Sequence, residues 1–209
     1  ARSTEANWYL YDAHSLQQLG RIPIEVEPRW DPVDPDMLFR SDETRLMQYN
    51  VRSGETSLVH EFAADFPGQS LSAVWTRYEG SPSRDGRFWG LMAQDEACQT
   101  VAYLVYDRQT DEVAARRDLR GWSAEEREID TVTISPLGNH FLAYMDRYCE
   151  GNLGSEADPC GLMVYDQNLQ NGRSLVRAIG HSDLALDAEG REVLVFQDVD
   201  ADTIAMLDL

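Results

Sequence analysis

Three glycines recur at a fixed interval. Gly86, Gly138 and Gly190 are each 52 positions from the next, and each closes a tight turn that leads into an apolar run. The runs are Ser83-Arg-Asp-Gly86-Arg-Phe-Trp-Gly-Leu-Met, Ser135-Pro-Leu-Gly138-Asn-His-Phe-Leu-Ala-Tyr and Asp187-Ala-Glu-Gly190-Arg-Glu-Val-Leu-Val-Phe. A degenerate copy begins at Trp30-Asp-Pro-Val-Asp-Pro-Asp36. A period of this length marks a repeat architecture, in which one supersecondary unit is copied along the chain. Glycine suits its place because a tight turn between strands needs a residue that tolerates positive φ.

A second motif runs through the same units. Tyr-Asp or a close variant ends a short apolar run in Trp8-Tyr-Leu-Tyr11-Asp12, Leu46-Met-Gln-Tyr49-Asn50, Val101-Ala-Tyr-Leu-Val-Tyr106-Asp107, Gly161-Leu-Met-Val-Tyr165-Asp166 and Ile204-Ala-Met-Leu207-Asp208. The first four copies are followed by polar turn residues of the kind that join hairpin strands. Each Tyr reads as a core aromatic, and each Asp as an acceptor for the amides of its own turn. A unit therefore reads as strand, Gly turn, strand, loop, Tyr-Asp strand, turn and a fourth strand.

Four short antiparallel strands at a period of about 40 to 55 residues are the pattern of a β-propeller. A β-sandwich also has many short strands, but it does not place one motif on the same strand of every unit. The expectation is an all-β fold, a propeller segment of about four blades that forms part of a larger ring of about seven. The divisions are 1–26 (the end of a blade), 27–70, 71–122, 123–179 and 180–209 (a partial blade). The reading gives 17 strands, whereas a seven-bladed ring takes about 28. The chain opens at Ala1 without an initiator Met, which we read as a processed or excerpted product. Further blades from the same gene product or another chain are expected beside the first and last units.

Ser135-Pro-x-Gly138 followed by an apolar strand and then a Tyr-Asp strand resembles the repeat of bacterial TolB-type and WD-repeat-like propellers, over the whole chain beyond residue 8. That resemblance implies a fold and leaves function open, because the superfold hosts hydrolases, lyases and pure scaffolds. Trp75-Thr-Arg-Tyr-Glu-Gly80-Ser-Pro-Ser and Gly180-His-Ser-Asp183 resemble stretches of propellers that act on pectic oligosaccharides. The His set that holds metal in that family has no match here, so the likeness implies no site.

Charge excludes one class of partner. The chain has 37 Asp and Glu against 18 basic residues, all of them Arg, for a net charge of −19. Such a surface repels phosphate backbones, so no nucleic acid is expected. The missing Lys fits either a GC-rich genome or a salt- or heat-adapted habitat. No run of eighteen apolar residues is present, so no membrane span is expected.

Three cysteines are present, Cys98, Cys149 and Cys160. Cys149 and Cys160 flank one turn-rich loop, whose ends can come within disulfide range. A bond there places the chain in an oxidising, extracytoplasmic compartment, periplasmic, cell-surface or secreted. Pairing of Cys98 with Cys149 is the alternative.

Candidate chemistry lies where the first strand of each unit starts, near the central channel. Nine positions before each turn Gly stand Arg77, Ile129 and His181, with Glu79, Asp130 and Asp183 beside them. Arg, His and carboxylates converging there would bind a sugar acid or a metal. Asp198, Asp200 and Asp202 have the alternate spacing of a calcium loop, but Thr203 stands where that loop needs Gly and Leu209 where it needs an acid. A solvated acidic turn competes with Ca2+ or another divalent cation, and no other cofactor is expected. Asp31, Asp34 and Asp36 read as a Pro-rigidified turn. Gly121-Trp-Ser-Ala-Glu-Glu-Arg-Glu128 has the look of a short capped helix. No nucleophile elbow or phosphate loop is present. The leading expectation is a non-catalytic scaffold for a protein partner or polysaccharide, and the rival is a carbohydrate-active lyase or hydrolase at the channel mouth.

Overall fold

The computed structural model describes residues 7–23, 28–75, 82–123, 129–145, 147, 149, 152–176, 179–198 and 203–209. Among these, seventeen strands form five antiparallel sheets, and every neighbour in a sheet is also the next strand in sequence. Sheet 1 pairs β1 (Asn7–Tyr11) with β2 (Gln18–Pro23). Sheet 2 holds β3 (Arg29–Trp30), β4 (Met37–Asp42), β5 (Arg45–Asn50) and β6 (Thr56–Glu61). Sheet 3 holds β7 (Ala73–Trp75), β8 (Phe88–Gln94), β9 (Thr100–Asp107) and β10 (Glu112–Asp118). Sheet 4 holds β11 (Ile129–Ile134), β12 (His140–Met145), β13 (Leu162–Asp166) and β14 (Arg173–Val176). Sheet 5 holds β15 (Ile179–Leu186), β16 (Glu192–Asp198) and β17 (Thr203–Asp208). Among the described residues the helical content is one 3-10 turn, Phe62–Asp65. The expected all-β propeller segment is the fold.

The repeated motifs become repeated turns. At Ser83 and Ser135 the backbone N–H donates to the carbonyl five residues on, and the hydroxyl accepts the N–H of that same residue, Phe88 or His140. Gly86, Gly138 and Gly190 take φ of 71°, 79° and 79°, the left-handed region that costs Gly nothing. The third turn is one residue shorter, with Asp187 bonding Arg191 in place of a partner five along. The Tyr-Asp turns repeat as well. Asp12, Asn50, Asp107 and Asp166 each accept the amide two residues on, at 2.9 to 3.0 Å, so the acid caps its own turn as expected. The last copy is displaced: Leu209, not Leu207, bonds opposite Glu192, the place that Tyr106 takes opposite Trp89. The shortened turn moves the ladder, which a motif aligned by residue type does not reveal.

Successive sheets pack face to face. Leu10 meets Leu38, Tyr49 and Val51 between sheets 1 and 2, and Phe39, Leu46, Leu91, Leu104 and Tyr106 fill the seam between sheets 2 and 3. Met92, Tyr103, Val105, Phe141, Met163 and Tyr165 fill the next. Leu142, Leu162, Val164, Leu194 and Phe196 fill the last. Because sheet 3 is covered on both sides, β9 is buried along its whole length and reads as one apolar run rather than an alternation, the behaviour of a strand with two dry faces. Gly90 stands where β8 approaches β11 of the next sheet, and a Cβ there would lie 2.9 Å from the Thr133 carbonyl carbon.

Cys149 and Cys160 are disulfide-bonded with Cα atoms 5.1 Å apart, and Cys98 is free and exposed. The closed loop rests on sheet 4, where the Ser174 hydroxyl donates to the Cys160 carbonyl at 2.7 Å. Closing a loop of this size stabilises the fold by about 3 kcal/mol in the chain-entropy account.

Two outcomes follow. In denaturant without reductant, mass spectrometry should find one alkylated cysteine, Cys98, and three after reduction. Gly90→Ala should cost about 1–3 kcal/mol in urea unfolding, because its neighbour is backbone and cannot step aside. Gly121→Ala, with nothing within 4 Å of its added Cβ, should stay within about 0.5 kcal/mol.

Candidate functional site

Among the described residues, several ionisable side chains meet across the seams between sheets. Asp31, in the turn that opens sheet 2, has no exposed side-chain surface and accepts a hydrogen bond from Arg108 of sheet 3 at 2.7 Å. Its other oxygen accepts the Val33 amide, and Asp34 accepts that of Asp36. These carboxylates hold a turn and an arginine, in keeping with the turn expected there. Arg87 grips Asp107 through Nε and Nη2, at 3.0 and 2.7 Å to one oxygen. That bond, against the opposing effect of burial, holds the Asp107 carboxyl below its ordinary range. The two guanidiniums also lie over rings, Arg87 over Phe88 and Arg108 over Phe39.

An open cleft of about 320 Å³ lies above these pairs, lined by Val33, Asp85, Gly86, Arg87, Arg108 and Gln109. Donors and acceptors stand side by side in it, with one exposed apolar contact at Val33. The turns that line it are the repeated ones, so its residues come to one place by the register of sheets 2 and 3.

Elsewhere in the same seam, His60 of β6 sits between two carboxylates. Its Nδ1 is 2.7 Å from Asp111 and its Nε2 is 2.8 Å from Asp65. Tyr106 donates to the same Asp111 oxygen at 2.9 Å, and the imidazole packs against Phe62 and Tyr106. Both ring nitrogens face carboxylate oxygens, an arrangement that favours the doubly protonated ring. Burial opposes that charge, and the bonds that the ring donates to Asp65 and Asp111 outweigh it, leaving the His60 pKa above its ordinary 6.5. A ring held this way is a cationic tie and not a base waiting for a proton. Glu192 joins the last two sheets in a similar manner, accepting from the Leu137 amide at 2.6 Å and facing His140 Nδ1 at 2.9 Å. Burial raises the Glu192 pKa and the bonds from His140, Ser135 and Leu137 lower it, with a net fall.

The residues singled out in the sequence lie elsewhere. Arg77, Glu79, Asp200 and Asp202 fall outside the described residues, as do 124–128 of the expected capped helix. Asp130 lies on β11, His181 and Asp183 on β15, and Asp198 at the end of β16; their strands are placed and their side chains are not described. Among the described residues no group of three or more His, Cys, Asp or Glu side chains is gathered to hold a metal. The contact of His60 with Asp111 carries no short-range signal, since it joins positions 51 apart across two sheets; Asp65 stands five positions from His60 in no motif that marks a site.

Neither a family model nor a curated protein matches this sequence. Among solved structures, the chain is similar to the Cps50 (Swd1) β-propeller domain of Myceliophteria thermophila, at 14% identity and TM-score 0.49, over 96% of this chain and 63% of that one. It is also similar to the tricorn protease (14%, TM-score 0.46, over 88% and 17%) and to a eukaryotic initiation factor (12%, TM-score 0.45, over 99% and 49%). The chain thus spans less than two thirds of the length of each.

The His60 tie makes a pH prediction with a definite sign. A group whose folded pKa is raised contributes stability that is full below its unfolded pKa and is lost as pH rises through the folded value. The urea midpoint of the wild type should therefore fall as pH climbs above 6.5 toward the raised pKa of His60. His60→Gln should be less stable below that range and should lose the decline within it. Equal slopes for the two proteins would show that His60 is not charged in the fold.

Proposed function

We propose that this chain is an extracytoplasmic β-propeller scaffold that binds a protein partner or a polysaccharide and performs no catalysis of its own. One observation carries the reading: the convergent charged groups at the seams are bonded to each other as ties between sheets. Asp111 holds His60, Asp31 holds Arg108, and His140 faces Glu192, each pair across two sheets, while Arg87 and Asp107 brace the β8–β9 hairpin of sheet 3 beside them. Groups fixed in this way build a rigid frame, and the exposed turns above them supply the contact surface. Rigid frames carrying variable turns are how propellers present binding sites. The Cys149–Cys160 bond supports an oxidising compartment. The cleft at Val33, Asp85, Arg87, Arg108 and Gln109 offers both hydrogen-bond senses and an open apolar contact.

The rival reading keeps Arg77, Glu79, Asp130, His181 and Asp183 as the site of a lyase or hydrolase. Calorimetry against a panel of acidic and neutral polysaccharides, with product release followed in the same samples, separates the two. The scaffold should bind without releasing reducing ends or unsaturated sugars. Gln109→Ala and Val33→Asp, both at exposed positions, should weaken binding severalfold without moving the melting temperature. Product release that disappears in His181→Ala would establish the enzyme instead.

A further inference from the structure

The three repeated turns differ in what lies against their glycines. A Cβ on Gly138 would stand 2.6 Å from the ring of Phe88, so an aromatic side chain of the preceding sheet closes that turn over. A Cβ on Gly190 would meet nothing within 4 Å. At Gly86 the same space has polar edges: a Cβ would lie 3.3 Å from Asp31 Oδ1 and Val33 Cγ2, and 3.5 Å from Arg108 Nη1. The turn that opens sheet 2 brings Val33 where sheet 3 brings Phe88 to the next seam. The smaller side chain leaves the cleft of about 320 Å³ open above Gly86.

Much of the bonding capacity in this cleft is committed, and what is left has a definite character. Among the described residues Arg108 donates through Nη1 to Asp31, and Arg87 through Nε and Nη2 to Asp107. A guanidinium has five N–H groups, so Arg108 Nε and Nη2 and Arg87 Nη1 keep donors for a ligand. Asp85 Oδ1 accepts the Ser83 hydroxyl and the Arg87 amide, which leaves Oδ2 as an acceptor. The bond from Ser83 holds the Asp85 carboxyl below its ordinary range, so that acceptor is anionic. Gln109 adds an exposed amide, and Val33 is an apolar contact 63% exposed. Both guanidiniums are set in advance over rings, Arg87 on Phe88 and Arg108 on Phe39, so a ligand loses little in ordering them.

The charge balance selects the class of ligand. Arg87 and Arg108 stand against three carboxylates, Asp31, Asp85 and Asp107, on a chain of net charge −19. An anion gains little from arginines that are already paired, and it meets Asp85 and the field of the whole chain. A cation meets the guanidinium donors. An uncharged group that donates and accepts at once suits the array, and a hydroxyl does both. We infer that the cleft binds a neutral sugar unit of a polysaccharide, its neighbouring hydroxyls shared between the free guanidinium N–H groups and Asp85, with a C–H face on Val33. The inference rests on the scaffold reading above and narrows its partner to an uncharged glycan. Ligand clefts run from about 300 to 1,000 Å³, so this one, at the low end, takes a short stretch of the chain.

Titration of 15N-labelled protein followed by NMR tests this. The neutral probes are cello-, malto-, xylo-, manno- and galacto-tetraose, and tetragalacturonate is the acidic one. At least one neutral tetrasaccharide should bind with a Kd of about 1 mM or tighter, and it should shift the Gly86 amide and the Gln109 side-chain signals. Its affinity should hold between about 0.05 and 0.5 M salt, because an uncharged ligand is not screened. Tetragalacturonate should bind more weakly than that sugar. Asp85→Ala should lower the affinity by about tenfold, the loss of a charge-assisted bond. Should that change loosen its turn, Val33→Asp at an exposed position should weaken binding with the melting temperature unmoved. The inference is overturned if no neutral probe moves the two signals, if tetragalacturonate binds more tightly, or if both variants bind as the wild type does. An acidic polysaccharide or a protein held at another surface, with no neutral sugar in the cleft, would overturn it and leave the scaffold reading standing. Product release from a neutral tetrasaccharide that shifts both signals would overturn the scaffold reading and support the sugar assignment.

Discussion

Face-to-face burial between consecutive sheets is the interaction on which this structure depends. A four-stranded sheet alone has two faces to cover, and a sheet in the middle of this stack has both covered by its neighbours. Sheet 3 shows the consequence most fully: β9 is buried at every position, and its two faces belong to two different cores, Leu104 and Tyr106 to one, Tyr103 and Val105 to the other. Among the described residues the core is divided into four clusters, one at each seam. Stability is shared among nearest-neighbour seams, as in repeat proteins generally, and the loss of one seam weakens two sheets directly.

The seams also carry the charge. Asp31 with Arg108, and His60 with Asp65 and Asp111, tie sheets 2 and 3; Glu192 ties sheets 4 and 5 through Leu137 and His140. Apolar packing sets how close two sheets come but leaves sliding cheap, since apolar contact has little direction. A bonded ion pair has direction, and a buried carboxylate without its partner is costly, so each tie fixes one sheet against the next. The glycines serve the same approach from the other side. Gly90 lets β8 reach the backbone of β11, and Gly20 leaves room for the Tyr49 hydroxyl, which would stand 2.9 Å from any Cβ there.

The disulfide serves a different need. Segment 149–160 joins β12 to β13 and is too long for a tight turn, so regular hairpin bonding does not hold it. The Cys149–Cys160 bond, the antiparallel bridge of Ser155 with Asp158, and the bond from Arg147 to Asp158 close it on itself. Ser174 then anchors it to β14 through the Cys160 carbonyl. These contacts set the described residues of the segment beside sheet 4, on a frame whose repeated turns are short.

Local chemistry was legible in the sequence. The 52-residue period, the glycines at positive φ, the acids that cap their own turns and the pairing of Cys149 with Cys160 each involve residues close along the chain. Backbone sterics and short loops leave such groups few alternatives. Contacts between sheets were not legible. Asp31 meets Arg108 across 77 positions and His60 meets Asp111 across 51, and neither pair has a motif, because the partners are brought together only when two sheets stack in register. The shortened turn at Asp187 makes the same point in miniature. Its glycine keeps the period, yet the loss of one residue shifts β16 and gives the place of Tyr106 to Leu209. Residue type fixes what a turn can do, while the hydrogen-bond ladder decides which side chains face which neighbour.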